Sequence, residues 1–310
     1  MINNNKQYVI GVDGGATKTK AALANLKGRI LKTGESNSSN LENVGIKIAI
    51  ENIAKAIKRI LPKKGEITSS FIGLPVIEER PKLKNKVKKE LLHSRGISSI
   101  FKGKLKIGSD QIVAFRSGTD EQEGVLVIAG TGCVAHGWKE KKEFHTSGWG
   151  WLADEGSAFW VGQKVFQAVM KDLDKRSRKT LLKNLVFKKY KIKKIEDLIK
   201  IVYSKNPTEI IPQFSIICDE AIKKGDRVAK NIIEEAGKEL ALAAKTVIKD
   251  LGFQNKKFPL VLVGGLFKSK IFLDTLKKET KKYALKVNFI KPKAEPVTGA
   301  IKLAIEQLKD

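Results

Sequence analysis

The chain has 310 residues, of which 42% are hydrophobic and 30% are charged. This length is about twice that of a typical domain, and the composition is that of a globular protein with a real core, so we expect two lobes. No apolar run reaches the roughly 20 residues that span a bilayer, and no signal-peptide core follows the first residues, so we expect no membrane segment.

The net charge of +27 is carried mostly by lysines spread along the chain, and arginine, the better reader of bases, is scarce. Many of the lysines alternate with apolar residues, which indicates a solvated face over a packed face, and we do not expect nucleic acid to be the main partner. The two cysteines, Cys133 and Cys218, stand in unrelated contexts. They predict no disulfide framework and favour a reducing cytoplasm.

In chain order, the first half alternates apolar runs with amphipathic segments. Strands are predicted near 7–13 and 18–25, and a third strand ends near 35. Short turns join these strands, so antiparallel pairing is expected. A helix follows from Val44 to Leu61, then a strand over 67–74, a lysine-rich helix over 82–93 and a strand over 104–110. The first lobe is therefore predicted to be β-β-β-α-β-α-β.

The second half repeats this opening with a strand at 124–129, a glycine turn and another strand. A long helix is predicted to end near Lys175. The segment 175–250 is predicted to be mostly helical, with breaks near Asn206 and Gly225. A strand and glycine turn over 258–265 and a strand over 285–290 come next, and Pro296 precedes a terminal helix.

A glycine–threonine turn follows the first strand of each half. The two turns contain Gly14, Gly15, Thr17 and Lys18, and Gly130, Thr131 and Gly132. Glycine lets backbone N–H groups approach an anion closely, and threonine adds a hydroxyl donor, so both loops could hold one polyphosphate. Neither loop has the Walker pattern or the G-x-G-x-x-G pattern, which argues against a P-loop or dinucleotide-binding fold.

Two aspartates stand at predicted strand ends. Asp13 precedes the first glycine turn, where it could hold Mg²⁺ beside bound phosphates or only cap the turn. Asp110 ends an apolar strand and begins a helix, so it is the candidate catalytic base, although aspartate is also a favoured N-cap there.

Two further segments are candidates for ligand binding. Gly148, Trp149 and Gly150 precede Asp154 and Glu155. Carboxylates beside an aromatic face and backbone amides are typical of carbohydrate sites, but Asp154 could equally cap the next helix.

A glycine pair, Gly264 and Gly265, follows a buried strand. Such a turn could let an adenine ring lie against the backbone, or it could be only a tight strand-to-helix turn.

Together these motifs resemble the sugar-kinase branch of the actin-like ATPase superfamily. More narrowly, the chain resembles the BadF/BadG/BcrA/BcrD ATPase family, which includes N-acetylglucosamine kinases and archaeal hexokinases. The resemblance covers nearly the whole chain in order. It rests on residues 13–19, 110, 129–132, 148–150, 154–157 and 263–265, and on Asn40, which matches a sugar-contacting asparagine.

The resemblance implies an α/β, two-lobed actin-like (ribonuclease H-like) ATPase fold in which each lobe is a mixed sheet flanked by helices. The N-terminal lobe would span 1–117, with the terminal helix 297–310 packed back on it. The larger C-terminal lobe would span 118–296, with a helical insertion at about 175–250. A homodimer is common among such relatives and is an expectation here.

The resemblance also implies an ATP-dependent sugar kinase that acts on a hexose or amino sugar, with N-acetylglucosamine or glucosamine as the leading candidates. In that interpretation Asp13 organises Mg²⁺, Thr17 and Thr131 contact the phosphates of ATP, and Asp110 is the catalytic base. The sugar would be oriented by Asn40, Trp149, Asp154 and Glu155.

One departure concerns the loop Pro75-Val-Ile-Glu-Glu-Arg80. The corresponding loop of the relatives is small, rich in glycine and touches the sugar, so the identity of the sugar stays open. An alternative function is a nucleotide-dependent activator or regulator without sugar turnover. A redox activator of the same family would need several converging thiolates for its iron–sulfur cluster, which Cys133 and Cys218 do not supply.

Overall fold

The computed structural model describes residues 6–77, 80–203 and 206–309. Glu78 and Glu79, which belong to the departing loop at 75–80, lie outside the described residues. Within the described parts the chain forms α/β structure with two five-stranded mixed sheets flanked by helices, which confirms the predicted fold class. No helix there is long and apolar enough to cross a bilayer.

The first sheet contains β1 (Gln7–Gly14), β2 (Lys18–Asn25), β3 (Ile30–Asn37), β4 (Glu66–Leu74) and β5 (Lys104–Ser109). The second contains β6 (Gly124–Ala129), β7 (Cys133–Lys139), β8 (Lys142–Ser147), β9 (Phe258–Val263) and β10 (Val287–Ile290). The helices are α1 (Leu41–Lys58), α2 (Pro81–His93), α3 (Asp110–Gly118), α4 (Ala158–Leu173), α5 (Leu182–Tyr190), α6 (Ile195–Val202), α7 (Pro207–Ile210), α8 (Phe214–Lys223), α9 (Arg227–Asp250), α10 (Lys270–Lys281) and α11 (Val297–Glu306). Short 3₁₀ segments cover Ser98–Lys102, Ile211–Gln213 and Gly265–Lys268.

The two sheets have the same topology. The strand order is β3-β2-β1-β4-β5 in the first and, read from its other end, β8-β7-β6-β9-β10 in the second. In each, the first three strands pair antiparallel and the last two continue parallel to the first. Each glycine–threonine turn therefore occupies the equivalent place, between the first and second strands of its sheet.

The chain divides into two compact units. One contains the residues up to Gln122 together with those from Pro292 onward, and the other runs from Glu123 to Lys291. The expected lobe boundaries, after 117 and after 296, lie a few residues from these division points.

In the first unit the sheet is covered on both faces. One face packs on a core formed with α1 and α2, and the other on a smaller core formed with α3 and α11. Helix α11 approaches β1 closely, because a Cβ on Gly11 would lie 2.7 Å from the backbone nitrogen of Ile301. Gly11 therefore allows the terminal helix to lie directly on the central strand.

In the second unit one continuous core joins the sheet to α4, α5, α8, α9 and α10. Long helix α9 begins at an N-cap, Asp226, and buries an apolar stripe that includes Ile233, Leu240 and Val247. The insertion between α4 and α9 consists of the short helices α5 to α8.

Candidate active site

The first glycine–threonine loop is held by backbone hydrogen bonds. The N–H of Gly15 donates to the Lys18 carbonyl at 3.0 Å, and the N–H of Ser39 donates to the Gly15 carbonyl at 3.2 Å. A Cβ on Gly14 would lie 2.5 Å from the Ser39 hydroxyl, so only glycine fits there. The loop is thereby fixed against the segment that leads into α1, while Thr17 and Lys18 stay exposed. The Lys18 ammonium contacts Glu35 at 2.9 Å.

Asp13 lies directly opposite Lys20 in the β1–β2 pair. Burial and the nearby negative charge of Glu295 raise the pKa of the Asp13 carboxyl to about 6, against an opposing effect of Lys18 and Lys20. Lys20 in turn binds Glu295 at 2.7 Å and Glu35 at 3.2 Å. In the described part of the chain no backbone N–H of the turn donates to the Asp13 carboxylate, so the structure does not support the turn-capping alternative.

A carboxylate that is partly buried and repelled by a second carboxylate gains from a cation beside it. Mg²⁺ usually keeps several waters and takes only one or two protein carboxylates together with substrate phosphates. Asp13 next to the exposed loop fits that mode. Within residues 6–77, 80–203 and 206–309 no cluster of three or more metal-ligating side chains forms an all-protein site.

Asp110 is the first residue of α3, directly after β5. The N-cap is Ser109, whose hydroxyl accepts from the Ile112 N–H at 3.1 Å, so the predicted capping alternative for Asp110 is wrong by one residue. β1 and β5 both run parallel to β4, which lies between them. Asp13, near the end of β1, and Asp110, directly after β5, therefore lie at the same edge of the sheet. Two strand spacings, or about 10 Å, separate them across the sheet.

Asn40 is the N-cap of α1. Its Oδ1 accepts from the N–H groups of Glu42 at 2.9 Å and Asn43 at 3.2 Å. This leaves its amide N–H groups for another partner. The Ser39 hydroxyl accepts from Thr19 at 2.8 Å, which holds this segment beside the glycine loop. The sequence motif for a sugar-contacting asparagine thus coincides with a helix start at the same end of the sheet.

The second glycine–threonine loop is tied to the start of α4. The Gly130 N–H donates to the Gly132 carbonyl at 2.9 Å, and the Gly130 carbonyl accepts from the Ala158 N–H at 2.8 Å. The Thr131 carbonyl accepts from Phe159 at 3.2 Å, and Thr131 is exposed. These hydrogen bonds hold the loop against the first turn of α4.

Asp154 joins the glycine–tryptophan segment to this second loop. Its Oδ1 accepts from the N–H groups of Gly148 and Trp149, both at 2.9 Å, and its Oδ2 accepts from Cys133 at 3.4 Å. Burial raises the pKa of the Asp154 carboxyl, although these backbone donors act in the opposite direction. The N-cap of α4 is Ser157, so the capping alternative for Asp154 is wrong.

Around Asp154, the predicted sugar-binding side chains are open to solvent. Trp149 is 76% exposed, and its ring lies 5.6 Å from that of His145. Glu155 is exposed, and Gly150 has a φ of +108° with no atom within 4 Å of the place a Cβ would take. The carboxylate that shapes this loop is thus Asp154, while Trp149 and Glu155 are available for contacts.

A cavity of about 740 Å³ in the second unit contains parts of two predicted motifs. It is lined by Gly130 and Thr131 of the second glycine–threonine loop and by Gly265 and Leu266 of the glycine turn. Gly264 makes this possible, because it has a φ of +128° and a Cβ there would lie 2.2 Å from the Ala129 carbonyl oxygen. Gly265 has nothing within 4 Å of a Cβ position, so a flat ring has room above it.

A further wall of this cavity is not indicated by any of the sequence motifs. It comes from the helical insertion and contains Thr208, Glu209, Pro212, Gln213, Ser215, Ile216 and Asp219. Ile216 is 63% exposed although it is a large apolar residue, and it lies on the cavity. A large apolar residue outside the buried face of the amphipathic helix α8 is the local signal that could have indicated this wall.

Comparisons with known proteins identify the family of this chain. The sequence profile of the BadF/BadG/BcrA/BcrD ATPase family matches residues 10–304. The chain is 32% identical to the N-acetylmuramic acid/N-acetylglucosamine kinase of Clostridium acetobutylicum over 96% of this chain and 98% of that one. It is 31% identical to the N-acetyl-D-glucosamine kinase of Dictyostelium discoideum, over 98% of this chain and 99% of the relative.

A crystal structure from Chromobacterium violaceum with the provisional name N-acetylglucosamine kinase has the same fold. Its TM-score is 0.74 at 21% identity, covering 97% of this chain and 99% of that one. The likeness of fold extends over almost the whole of both proteins. The chain therefore belongs to the BadF/BadG/BcrA/BcrD ATPase family, as its motifs predicted.

Proposed function

We propose that this protein is an ATP-dependent sugar kinase that transfers the γ-phosphoryl group to an amino sugar or related hexose, with N-acetylglucosamine as the first substrate to test. The observation that carries the proposal is the cavity in which the second glycine–threonine loop and the Gly264–Gly265 turn meet. Its size is that of a small-molecule site, and it is lined by both the exposed Thr131 and the open turn at Gly265. The kinase relatives, which match nearly the full chain, support the same assignment.

In this proposal the candidate residues have defined roles in binding ATP and its metal. Thr131 contacts the phosphates, and the adenine lies at Gly265. Asp13 would hold Mg²⁺, and the exposed Thr17 would contact the phosphates. When bound, Mg²⁺ would neutralise charge on the phosphates.

We also propose that the protein is located in the cytoplasm. That it forms a homodimer stays a prediction.

Asp110 is proposed as the general base. Its carboxylate accepts the proton of the attacking sugar hydroxyl while the oxygen attacks the γ-phosphorus and ADP leaves. Asn40, through its amide N–H groups, and Trp149 with Glu155 orient the sugar. Asp154 acts on the sugar through the loop that it fixes, because its carboxylate is already occupied by backbone donors.

A coupled assay of ADP release over a panel of hexoses and amino sugars tests the proposal. We expect sugar-dependent ADP release that is largest for N-acetylglucosamine or a close relative. Asp110→Asn should lower kcat by roughly 10²- to 10⁴-fold while nucleotide binding persists. Asp120→Asn is the matched control, because Asp120 follows the same helix but is 92% exposed and pairs with Lys302.

Two results would count against the proposal. Near-full activity of Asp110→Asn would remove the assignment of the base. ATP binding without ADP release for any sugar would instead favour a nucleotide-dependent regulator.

A further inference from the structure

A second cavity, of about 760 Å³, lies in the helical part of the second unit. It is lined by the C-terminal end of α4, the loop that follows it, the start of α5 and the α8–α9 junction. It shares no lining residue with the proposed nucleotide cavity. We call it the basic cavity, because six of its 14 lining residues are lysine or arginine, against 60 of 310 in the whole chain.

The cations of the basic cavity outnumber its carboxylates. They are Lys175, Arg178, Lys179, Lys183, Lys224 and Arg227, against Asp172 and Asp226. Within the described ranges Lys183 contacts Asp172 at 4.0 Å and Lys224 contacts Glu220 at 3.2 Å, whereas the other four cations form no ion pair. A general lysine excess does not account for this, since the local fraction is more than twice that of the chain.

One of the two carboxylates that line the cavity, Asp226, is held by structural hydrogen bonds. Asp226 caps α9 by accepting from the Ala229 N–H at 2.9 Å. Its other oxygen accepts from the Thr180 hydroxyl at 2.8 Å and the Leu181 N–H at 2.5 Å. Asp226 therefore fixes the loop that carries Arg178 and Lys179 against the start of α9, and the cavity is formed in advance of any ligand.

The basic cavity is distant from the nucleotide cavity along the same helices. Ala158, at the start of α4, and Ser215, near the start of α8, line the nucleotide cavity. The opposite ends of these helices, at Leu173 and Lys224, line the basic cavity. With a rise of 1.5 Å per residue, the 16 residues of α4 span roughly 24 Å, so one small ligand cannot occupy both cavities.

We propose that the basic cavity binds a small phosphorylated anion, at a site separate from the one that holds ATP. Four cations without an ion-pair partner among the described residues, arranged around a preformed cavity of this size, create a positive potential that a compact anion relieves. The arginine forks favour phosphate, because guanidinium groups bind phosphate oxygens in pairs. The anion is either free phosphate or a phosphate ester such as a hexose 6-phosphate.

Isothermal titration calorimetry on the full chain tests this proposal. The chain is first saturated with a non-hydrolysable ATP analogue and then titrated separately with inorganic phosphate and with a hexose 6-phosphate. We expect saturable binding of at least one probe, and the stronger of the two identifies the source. The variant Arg178→Gln/Lys179→Gln should weaken that binding by about tenfold or more, as expected from losing charge-assisted hydrogen bonds.

The matched control is Lys193→Gln/Lys194→Gln, which removes two adjacent exposed charges from the same insertion outside the cavity. Its affinity should equal that of the unmodified protein, and circular dichroism should show that both variants fold. The proposal is overturned if neither probe binds, if the cavity variant binds normally, or if the control loses as much affinity. None of these results depends on sugar kinase activity.

Discussion

The Oδ1 atom of Asp154 lies 2.9 Å from the backbone nitrogen of Trp149, and this hydrogen bond determines how the glycine–tryptophan segment is presented. The other oxygen of the same carboxylate accepts from the N–H of Cys133, directly after the second glycine–threonine loop. One buried side chain thus connects the predicted sugar-binding segment with a predicted phosphate loop inside a single unit.

This connection predicts a double effect of Asp154→Ala. Removing the carboxylate leaves the N–H groups of Gly148, Trp149 and Cys133 without their acceptor. The Cys133 N–H is buried, and losing a buried acceptor typically costs about 1–3 kcal/mol. We expect a lower free energy of unfolding in urea titrations and a higher KM for the sugar. Glu155→Gln is the control, because the neighbouring side chain is exposed, and it should leave stability unchanged. Equal stability of both variants would contradict the structural role of Asp154.

The pH dependence of stability should report the ionisation of the partly buried Asp13. Its pKa is raised from 3.8 to about 6, so the native state holds the proton more tightly than the unfolded state does. The free energy of unfolding therefore falls as pH rises from about 4 to 6, because ionising this carboxyl costs more in the native state than in the unfolded state. The fall is complete above pH 6. Without metal, Asp13→Asn should therefore stabilise the protein at pH 8 by at most about 3 kcal/mol and have little effect at pH 4.

Thermal unfolding in EDTA between pH 4 and 8 measures this effect. Asp120 provides a control of opposite sign, because the neighbouring Lys302 ammonium lowers the pKa of its carboxyl. Asp120→Asn should slightly destabilise the protein at neutral pH, and that difference should vanish as pH falls through the pKa. If Asp13→Asn had the same effect at every pH, its carboxyl would not be the perturbed group.

The adjacent glycines 264 and 265 should respond differently to alanine. Gly264→Ala would place a Cβ 2.2 Å from the Ala129 carbonyl oxygen at a φ of +128°. We expect a loss of stability of about 2 kcal/mol or more, because backbone must move to relieve the contact. Gly265→Ala meets no atom within 4 Å and should fold normally.

The methyl group of Gly265→Ala would instead protrude into the proposed adenine position. We expect the KM for ATP to rise about tenfold without a change in the melting temperature, which corresponds to about 1.4 kcal/mol of lost binding. Normal ATP kinetics in a folded Gly265→Ala variant would show that the adenine does not lie on this turn.

The two cysteines should resist labelling in the native protein. Cys133 is 3% exposed and Cys218 is fully buried, and burial raises the pKa of both thiols, that of Cys133 to about 12. Thiolates are the reactive species, so 5,5′-dithiobis(2-nitrobenzoic acid) at pH 8 should label neither thiol before unfolding and both afterwards. Rapid native labelling of Cys133 would mean that the second glycine–threonine loop opens.

The strands and both glycine–threonine loops were predictable because their signals are local. Apolar runs bounded by turn residues identify β1, β2 and β6, and Asp110 was placed correctly at the junction of β5 and α3. Helix caps were predicted less well. Ser109 and Ser157 cap the helices for which Asp110 and Asp154 were considered, since serine competes equally for that position and only the loop geometry selects one of them.

By itself, the sequence determined the family, the α/β class and the order of the motifs, because these depend on residue identity and on spacing along the chain. Only the tertiary structure decided that α8 of the insertion lines the proposed nucleotide cavity through Ile216 and Asp219. It also decided that the Asp154 carboxylate binds backbone N–H groups rather than facing solvent. The physical reason is that such contacts join residues far apart in the chain. Their partners are selected by packing and burial, which leave no periodic pattern in the residues themselves.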